Sequence, residues 1–231
     1  MKRYLYISLI ILFPLILSGQ VKRPQNMPGY DYKLLHFGFT VGVHTQDMGI
    51  ARVGNSDLFA DVSDPGFGFQ VTIVSDLRLN EKMNLRFLPG IALGEKPLSF
   101  YDRQTKELVE SGIIESNFLE FPLLVKYRSV RLNNTRPYLI GGLNYRYDLA
   151  ARKKSDETDR IYVKLKPSDI YLEAGFGIDY YLQYFKFSPE IKVGMGLRNL
   201  LIKDVEEVES RFVNSIDNLR SFVVMINFHF E

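Results

Sequence analysis

Arg220-Ser221-Phe222-Val223-Val224-Met225-Ile226-Asn227-Phe228-His229-Phe230 is the stretch that decides the fold. In an extended strand side chains alternate between faces, so Phe222, Val224, Ile226, Phe228 and Phe230 share one side and Ser221, Asn227 and His229 share the other. In water an unpaired strand with such an apolar face invites aggregation. In a closed barrel within lipid the same face meets acyl chains while the backbone pairs with strand one. The apolar set therefore also reads as a C-terminal insertion signal of the outer-membrane type, followed here by Glu231.

Working outward, the 231 residues are 46% hydrophobic, with 14 Tyr, 17 Phe, no Trp and no Cys, which suits one domain of ordinary size. Without cysteine, disulfide frameworks, thiolate metal sites and cysteine nucleophiles are excluded. A net charge of +2 is no nucleic-acid footprint and no trap for acidic substrates. At the other end, Lys2-Arg3 precedes an apolar run from Tyr4 to Leu17, and Leu17-Ser18-Gly19 offers a small-residue cleavage site. The run is short for a spanning helix and Pro14 interrupts it, so residues 1–19 read as a signal peptide.

Eight segments alternate with period two. Approximately, they cover 35–46, 66–79, 82–94, 116–129, 136–149, 169–182, 185–199 and the C-terminal stretch. Most are longer than the roughly 9–11 residues that a tilted strand needs to cross a hydrocarbon layer. Short turns at Asn80-Glu81, Arg131 to Thr135 and Gln183-Tyr184 alternate with long connections at 47–65, 95–115, 150–168 and 200–218. Long loops on one side and tight turns on the other, with both termini at the tight side, define an outer-membrane barrel. The bulky aromatic face also favours lipid outside over a lipocalin-like soluble barrel. The predicted fold is all-β: an eight-stranded antiparallel transmembrane up-and-down β-barrel over 35–231, after an N-terminal arm at 20–34 that extends into the periplasm. Pro89, Pro122 and Pro189 fall inside predicted strands and predict bulges or local loss of pairing.

Several stretches resemble the PorT family. They include Arg23-Pro24-Gln25-Asn26-Met27-Pro28-Gly29-Tyr30-Asp31 with His36-Phe37-Gly38-Phe39, then Asp64-Pro65-Gly66-Phe67 and Leu85-Arg86-Phe87. Phe118-Leu119-Glu120-Phe121-Pro122-Leu123-Leu124-Val125-Lys126-Tyr127, Arg136-Pro137-Tyr138-Leu139-Ile140-Gly141-Gly142 and Phe185-Lys186-Phe187-Ser188-Pro189-Glu190 complete the likeness. The resemblance covers nearly the whole mature chain. It implies a porin-like outer-membrane component of the type IX secretion system, which exports proteins bearing a C-terminal signal and often supports gliding. It implies no catalytic residues.

The inward faces carry Arg86, Glu120, Lys126, Arg146, Glu173, Asp179, Glu190 and Lys192. In a barrel of eight strands the interior is just wide enough for side chains, so these charges predict a salt-bridged plug rather than a channel. His36 and His229 are expected to approach each other near the periplasmic end, with His44 about 26 Å away along its strand. Two imidazoles without a third ligand predict hydrogen-bonded lumen residues, not a metal site. His44 with Asp47 is the candidate base pair at the outer rim, with Ser56 or Ser63 as nucleophile, and nothing in the spacing aligns them. Leu201, Val205, Val208 and Phe212 recur at helical spacing and suggest a short amphipathic element in an outer loop, while 152–160 is a charged tip. The sequence thus predicts no catalysis, no cofactor and no metal, and no nucleic-acid or small-molecule partner. It predicts the outer membrane of a Gram-negative cell, contact with lipid, and secretion-system partners reached through the arm and outer loops. A stand-alone structural or adhesin-like barrel and a small-solute porin are the alternatives.

Overall fold

The structure, a computed structural model, describes residues 25–52, 58–61, 66–102, 105, 108–149, 166–202 and 216–231. The signal segment 1–19, the charged tip 152–160, Ser56, Ser63 and most of the predicted amphipathic element lie outside these residues. The strands are β1 (Leu35–Arg52), β2 (Leu58–Asp61), β3 (Gly66–Arg78), β4 (Met83–Phe87), β5 (Gly90–Asp102), β6 (Leu108–Arg128), β7 (Thr135–Asp148), β8 (Ser168–Tyr181), β9 (Lys186–Gly196) and β10 (Ile216–Phe230). Every pairing is antiparallel, and β1 pairs with both β10 and β3, which closes the wall. The wall is a ring of eight strands, with β4 and β5 as two parts of one wall strand. β2 stands outside the ring, paired to the far end of β5.

Period-two alternation sets the two faces of this wall. Phe37, Phe39, Val41 and Val43 are exposed on β1, and His36, Thr40 and His44 between them are buried. The same division runs through β3, where Phe67 to Ile73 face out and Gln70, Thr72 and Asp76 face in, and through β10. Phe222, Ile226 and Phe228 are exposed, while Ser221, Asn227 and His229 are buried. The exposed apolar band suits acyl chains, which reward apolar contact as a protein core does. Near the short-turn end it includes Phe39, Phe187, Phe228 and Phe230, with Phe39 on Phe230 at 5.0 Å and Phe187 on Phe228 at 6.1 Å between ring centres. Stacked rings at this level correspond to an interfacial aromatic girdle.

The prolines do not bulge the wall. Pro122 pairs with Asn144 and Pro189 with Phe228 in unbroken registers. On the β8 side pairing lapses at Pro189 and Ser188, the expected local loss, and resumes in the same register at Phe187 opposite Tyr180. At Leu88-Pro89 the strand is interrupted, yet Phe87 opposite Ser75 and Gly90 opposite Thr72 keep one register. The reason is that neighbours supply the hydrogen bonds: Ile73 N–H donates to Pro89 O at 2.9 Å and Leu88 N–H to Pro122 O at 3.1 Å. Proline removes a donor but keeps its carbonyl, so the ladder loses single bonds without slipping.

Two predicted loops are largely strand. β5 runs on to Asp102 and β6 begins at Leu108, so most of 95–115 is a paired hairpin. Likewise β1 continues to Arg52, where it pairs with β10. Beyond the lipid band neither face must be apolar, so the alternation that marks a membrane strand fades although pairing continues. The short turns stand as predicted. In the β6–β7 turn Asn133 takes φ 53°, a left-handed conformation that asparagine tolerates.

Candidate functional site: the packed lumen and the short-turn mouth

All eight predicted inward charges are buried. Arg146 stands directly across from Glu120 on the β6–β7 ladder and bonds it at 2.5 Å. Lys192 on β9 meets Glu173 on β8 at 2.6 Å, and Lys126 on β6 reaches Asp179 on β8 at 2.7 Å. The other two take partners outside the predicted set. Arg86 bonds Asp76, its cross-strand neighbour, at 2.7 Å and Glu231 at 2.7 Å. Glu190 accepts from Tyr138 Oη at 2.9 Å and faces His229 Nε2 at 3.3 Å. Between the charges sit apolar side chains, Val74, Leu88, Leu124, Tyr138 and Ile140 in one cluster and Tyr171, Val223 and Met225 in another. Buried charges need paired, hydrogen-bonded settings, and these interior rows supply them.

Two glycines make the filling possible. A Cβ at Gly177 would collide with the Tyr138 ring and hydroxyl, and one at Gly68 would collide with the His44 imidazole. Each large side chain therefore lies over the bare backbone of its cross-strand partner on the adjacent strand.

The histidines are placed differently from the expectation. His229 lies opposite Thr40, whose hydroxyl is 2.6 Å from Nδ1. His36 instead stacks under Tyr30 at 4.3 Å and contacts Tyr30 O at 2.8 Å. The four-residue offset on β1 and the Tyr30 ring keep these two imidazoles apart. Among the described residues no group of three or more His, Cys, Asp or Glu is placed to hold a metal ion. His44 faces the lumen beside Gln46, at 3.0 Å between Nε2 atoms. Asp47, an odd position, faces outward and accepts from Met48 N–H at 2.7 Å. The strand pleat puts them on opposite faces, so they form no acid–base pair.

The N-terminal arm is likewise corrected. Residues 25–34 do not stretch away into the periplasm but fold across the short-turn mouth, with a 3-10 turn at Tyr30–Tyr32. Tyr30 is buried, 6.0 Å from the Tyr181 ring and 3.4 Å from Glu231 Oε2 through its hydroxyl. Lys186 Nζ bonds Glu231 at 2.8 Å and lies 4.9 Å from the Tyr30 ring centre. Asp31 collects donors from three wall strands and one turn: Tyr181 Oη at 2.7 Å, Arg136 at 2.9 Å, Arg131 at 3.3 Å and Arg128 at 3.4 Å. Burial opposes its ionisation, but the Tyr181 hydrogen bond and the guanidiniums of Arg136, Arg131 and Arg128 outweigh it and hold the carboxyl below its ordinary value. Arg131 also donates to Asn26 O and stacks its guanidinium 3.6 Å from the Tyr181 ring centre. Asn26 bonds Asn134 and Tyr181 O. Asp31, Glu231 and Arg131 escaped sequence reading, because they sit in the arm, after the last strand and in a turn, where alternation carries no weight.

Beside the arm lies a cleft of about 330 Å³, walled by the β3–β4 turn (Glu81, Lys82), the β6–β7 turn (Ser129, Val130, Arg131) and Asp31, Tyr32, Arg78 and Arg136.

A closed ring of strands, apolar toward lipid and filled with paired charges inside, defines an outer-membrane β-barrel protein. The chain belongs to the outer membrane protein beta-barrel domain family, whose model matches residues 19–201. It resides in the outer membrane, with its apolar band against lipid. Among solved structures it is similar to Neisserial surface protein A, at 12% identity over 85% of this chain and 98% of that one, with a TM-score of 0.42. OprG of Pseudomonas aeruginosa gives 14% identity over 85% and 93%, with a TM-score of 0.44. The outer membrane protein AlkL in DMPC bilayers gives 10% over 93% and 94%, with a TM-score of 0.39. Comparison with curated proteins gives no match.

Proposed function

We propose that this barrel is a non-enzymatic component or assembly factor of a protein-secretion machine of type IX character, working through its outer loops and its short-turn mouth. The observation that carries this reading is a lumen filled by paired charges and covered by the arm, which leaves the outside of the barrel as its working surface. The resemblance of its opening segment, Arg23 to Asp31, to the PorT family supplies the kind of machine. A strain lacking the protein should accumulate cargo bearing the type IX C-terminal signal in the periplasm. Unaltered secretion in that strain would refute the reading. The projecting β5–β6 hairpin favours a second reading, a stand-alone structural or adhesin-like barrel, and unaltered secretion with lost surface attachment would select it.

A further inference from the structure

The cleft beside the arm is charged in a way the rest of the chain is not. Its walls carry Arg78, Lys82, Arg131 and Arg136 against Asp31 and Glu81, an excess of two (4 − 2) that equals the excess of the entire chain (29 − 27). The two carboxylates do not discharge it. Asp31 is shared by three arginines, including Arg128 behind the cleft. The remaining guanidinium bonds go to neutral carbonyls: Arg136 to Ser129 O at 2.7 Å and Glu81 O at 2.8 Å, Arg131 to Asn133 O at 2.9 Å. Carbonyls fix the direction of a guanidinium without cancelling its charge, so positive potential remains over the opening. The Arg78 guanidinium makes one long hydrogen bond of 3.4 Å to Tyr32 O, lies 5.9 Å from the Tyr32 ring centre and has no carboxylate partner among the described residues.

The same opening is flanked by apolar surface. Tyr32 is 77% exposed and Val130 66% exposed, and both line the cleft. Short turns face the periplasm in barrels of this class. We propose that this cleft receives an acidic side chain, flanked by apolar residues, from an extended segment of a periplasmic protein. The carboxylate pairs with the guanidinium of Arg78 where it lines the cleft, Lys82 supplies attraction at the rim, and Tyr32 and Val130 cover the flanking residues. This identifies the partner chemistry at the mouth and rests on the barrel's orientation in the reading above, not on its secretion role.

The test uses the full barrel in phosphatidylcholine nanodiscs. Its probe is a fluorescein-labelled hexapeptide of alternating glutamate and leucine, with a lysine–leucine counterpart as control. Anisotropy should show saturable binding of the glutamate peptide alone, weakening as salt is raised from about 50 to 500 mM. Arg78→Gln with Lys82→Glu should weaken it at least about tenfold. Lys82→Glu alone, a change on an exposed turn, gives a smaller loss in the same direction and keeps the test valid if the double variant folds poorly. Equal binding of both peptides, or unchanged affinity in the variants, overturns the proposal. If phosphatidylglycerol in the disc abolishes peptide binding and Lys82→Glu restores it, the cleft holds lipid headgroups and the proposal falls. Because the assay is made in vitro, its failure leaves the secretion phenotype of the deletion strain to stand or fall separately.

Discussion

The pair formed by Lys126 and Asp179 offers the sharpest test of whether the lumen is a structural plug. Lys126 Nζ lies 2.7 and 2.9 Å from the two carboxylate oxygens and 3.7 Å from the Tyr138 ring centre, and both charged side chains are fully buried. Lys126→Met strands the carboxylate, with the Ser188 hydroxyl at 2.7 Å as its remaining close donor. Removing one partner of a buried pair costs about 3–5 kcal/mol, because an uncompensated charge stays inside. Asp179→Leu should cost a comparable amount by stranding the ammonium. The double variant replaces both charges with apolar groups, and such replacements are often nearly neutral, so it should lie within about 1 kcal/mol of the parent. Urea unfolding in lipid vesicles, followed by far-ultraviolet circular dichroism, gives the three values. With a slope of about 2 kcal/mol per molar, each single variant should lower the midpoint by about 1.5–2.5 M and the double by about 0.5 M or less. If the double variant loses the sum of the two single losses, the charges are not coupled and the plug reading is wrong.

Opening the mouth should be possible without touching the wall. Asp31→Asn removes the charge shared by Arg128, Arg131 and Arg136, and a spin label at Gln25→Cys, the only thiol in the chain, should become more mobile. With Asp31 intact the same label should report a pH effect. Its folded-state ionisation lies below the ordinary carboxylate value of 3.8, so its stabilisation is complete above that value. It is lost only as pH falls through the lower folded value, and release already at pH 6 would contradict this assignment. Gly177→Val forces a side chain against the Tyr138 ring and should cost about 1–3 kcal/mol of unfolding free energy, whereas Gly49→Ala, whose nearest neighbour would be 3.7 Å away, should be silent. Ile226→Arg puts a charge on the lipid face and should cost about 2–4 kcal/mol in vesicle folding, more than Arg placed at exposed Thr105. Planar-bilayer recordings of the parent should stay flat, and stepwise conductance would show that the lumen is not filled.

The membrane-crossing part of the fold was legible because lipid imposes a strict rule. Every second residue of β1, β3 and β10 must be apolar, and so Phe37 to Val43 and Phe222 to Phe230 announce both strand and facing. Where the rule lapses the sequence went quiet: β5 beyond Glu95 and β6 before Ser116 are paired strand that carries no clean alternation. The interior charges were readable as a set, since each occupies an inward position. Their pairing was readable only where partners are direct cross-strand neighbours, as with Glu120 and Arg146. Contacts across the lumen, such as Lys126 with Asp179, depend on barrel closure and side-chain reach. The Asp31 hub was invisible for another reason: its partners lie about 100 to 150 positions away in the chain, at turn and strand ends. Likewise, an offset of four residues between His36 and Thr40 separates the two histidines, and only the register with β10 reveals it.

The β5–β6 hairpin keeps one uninterrupted register from Gly90 opposite Glu120 to Phe100 opposite Glu110. A ladder without a hinge behaves as a lever. A load applied at the far tip is delivered to Arg86, Glu120 and Lys126 at its foot, so tugging from the cell surface strains the whole cylinder instead of dissipating in slack chain.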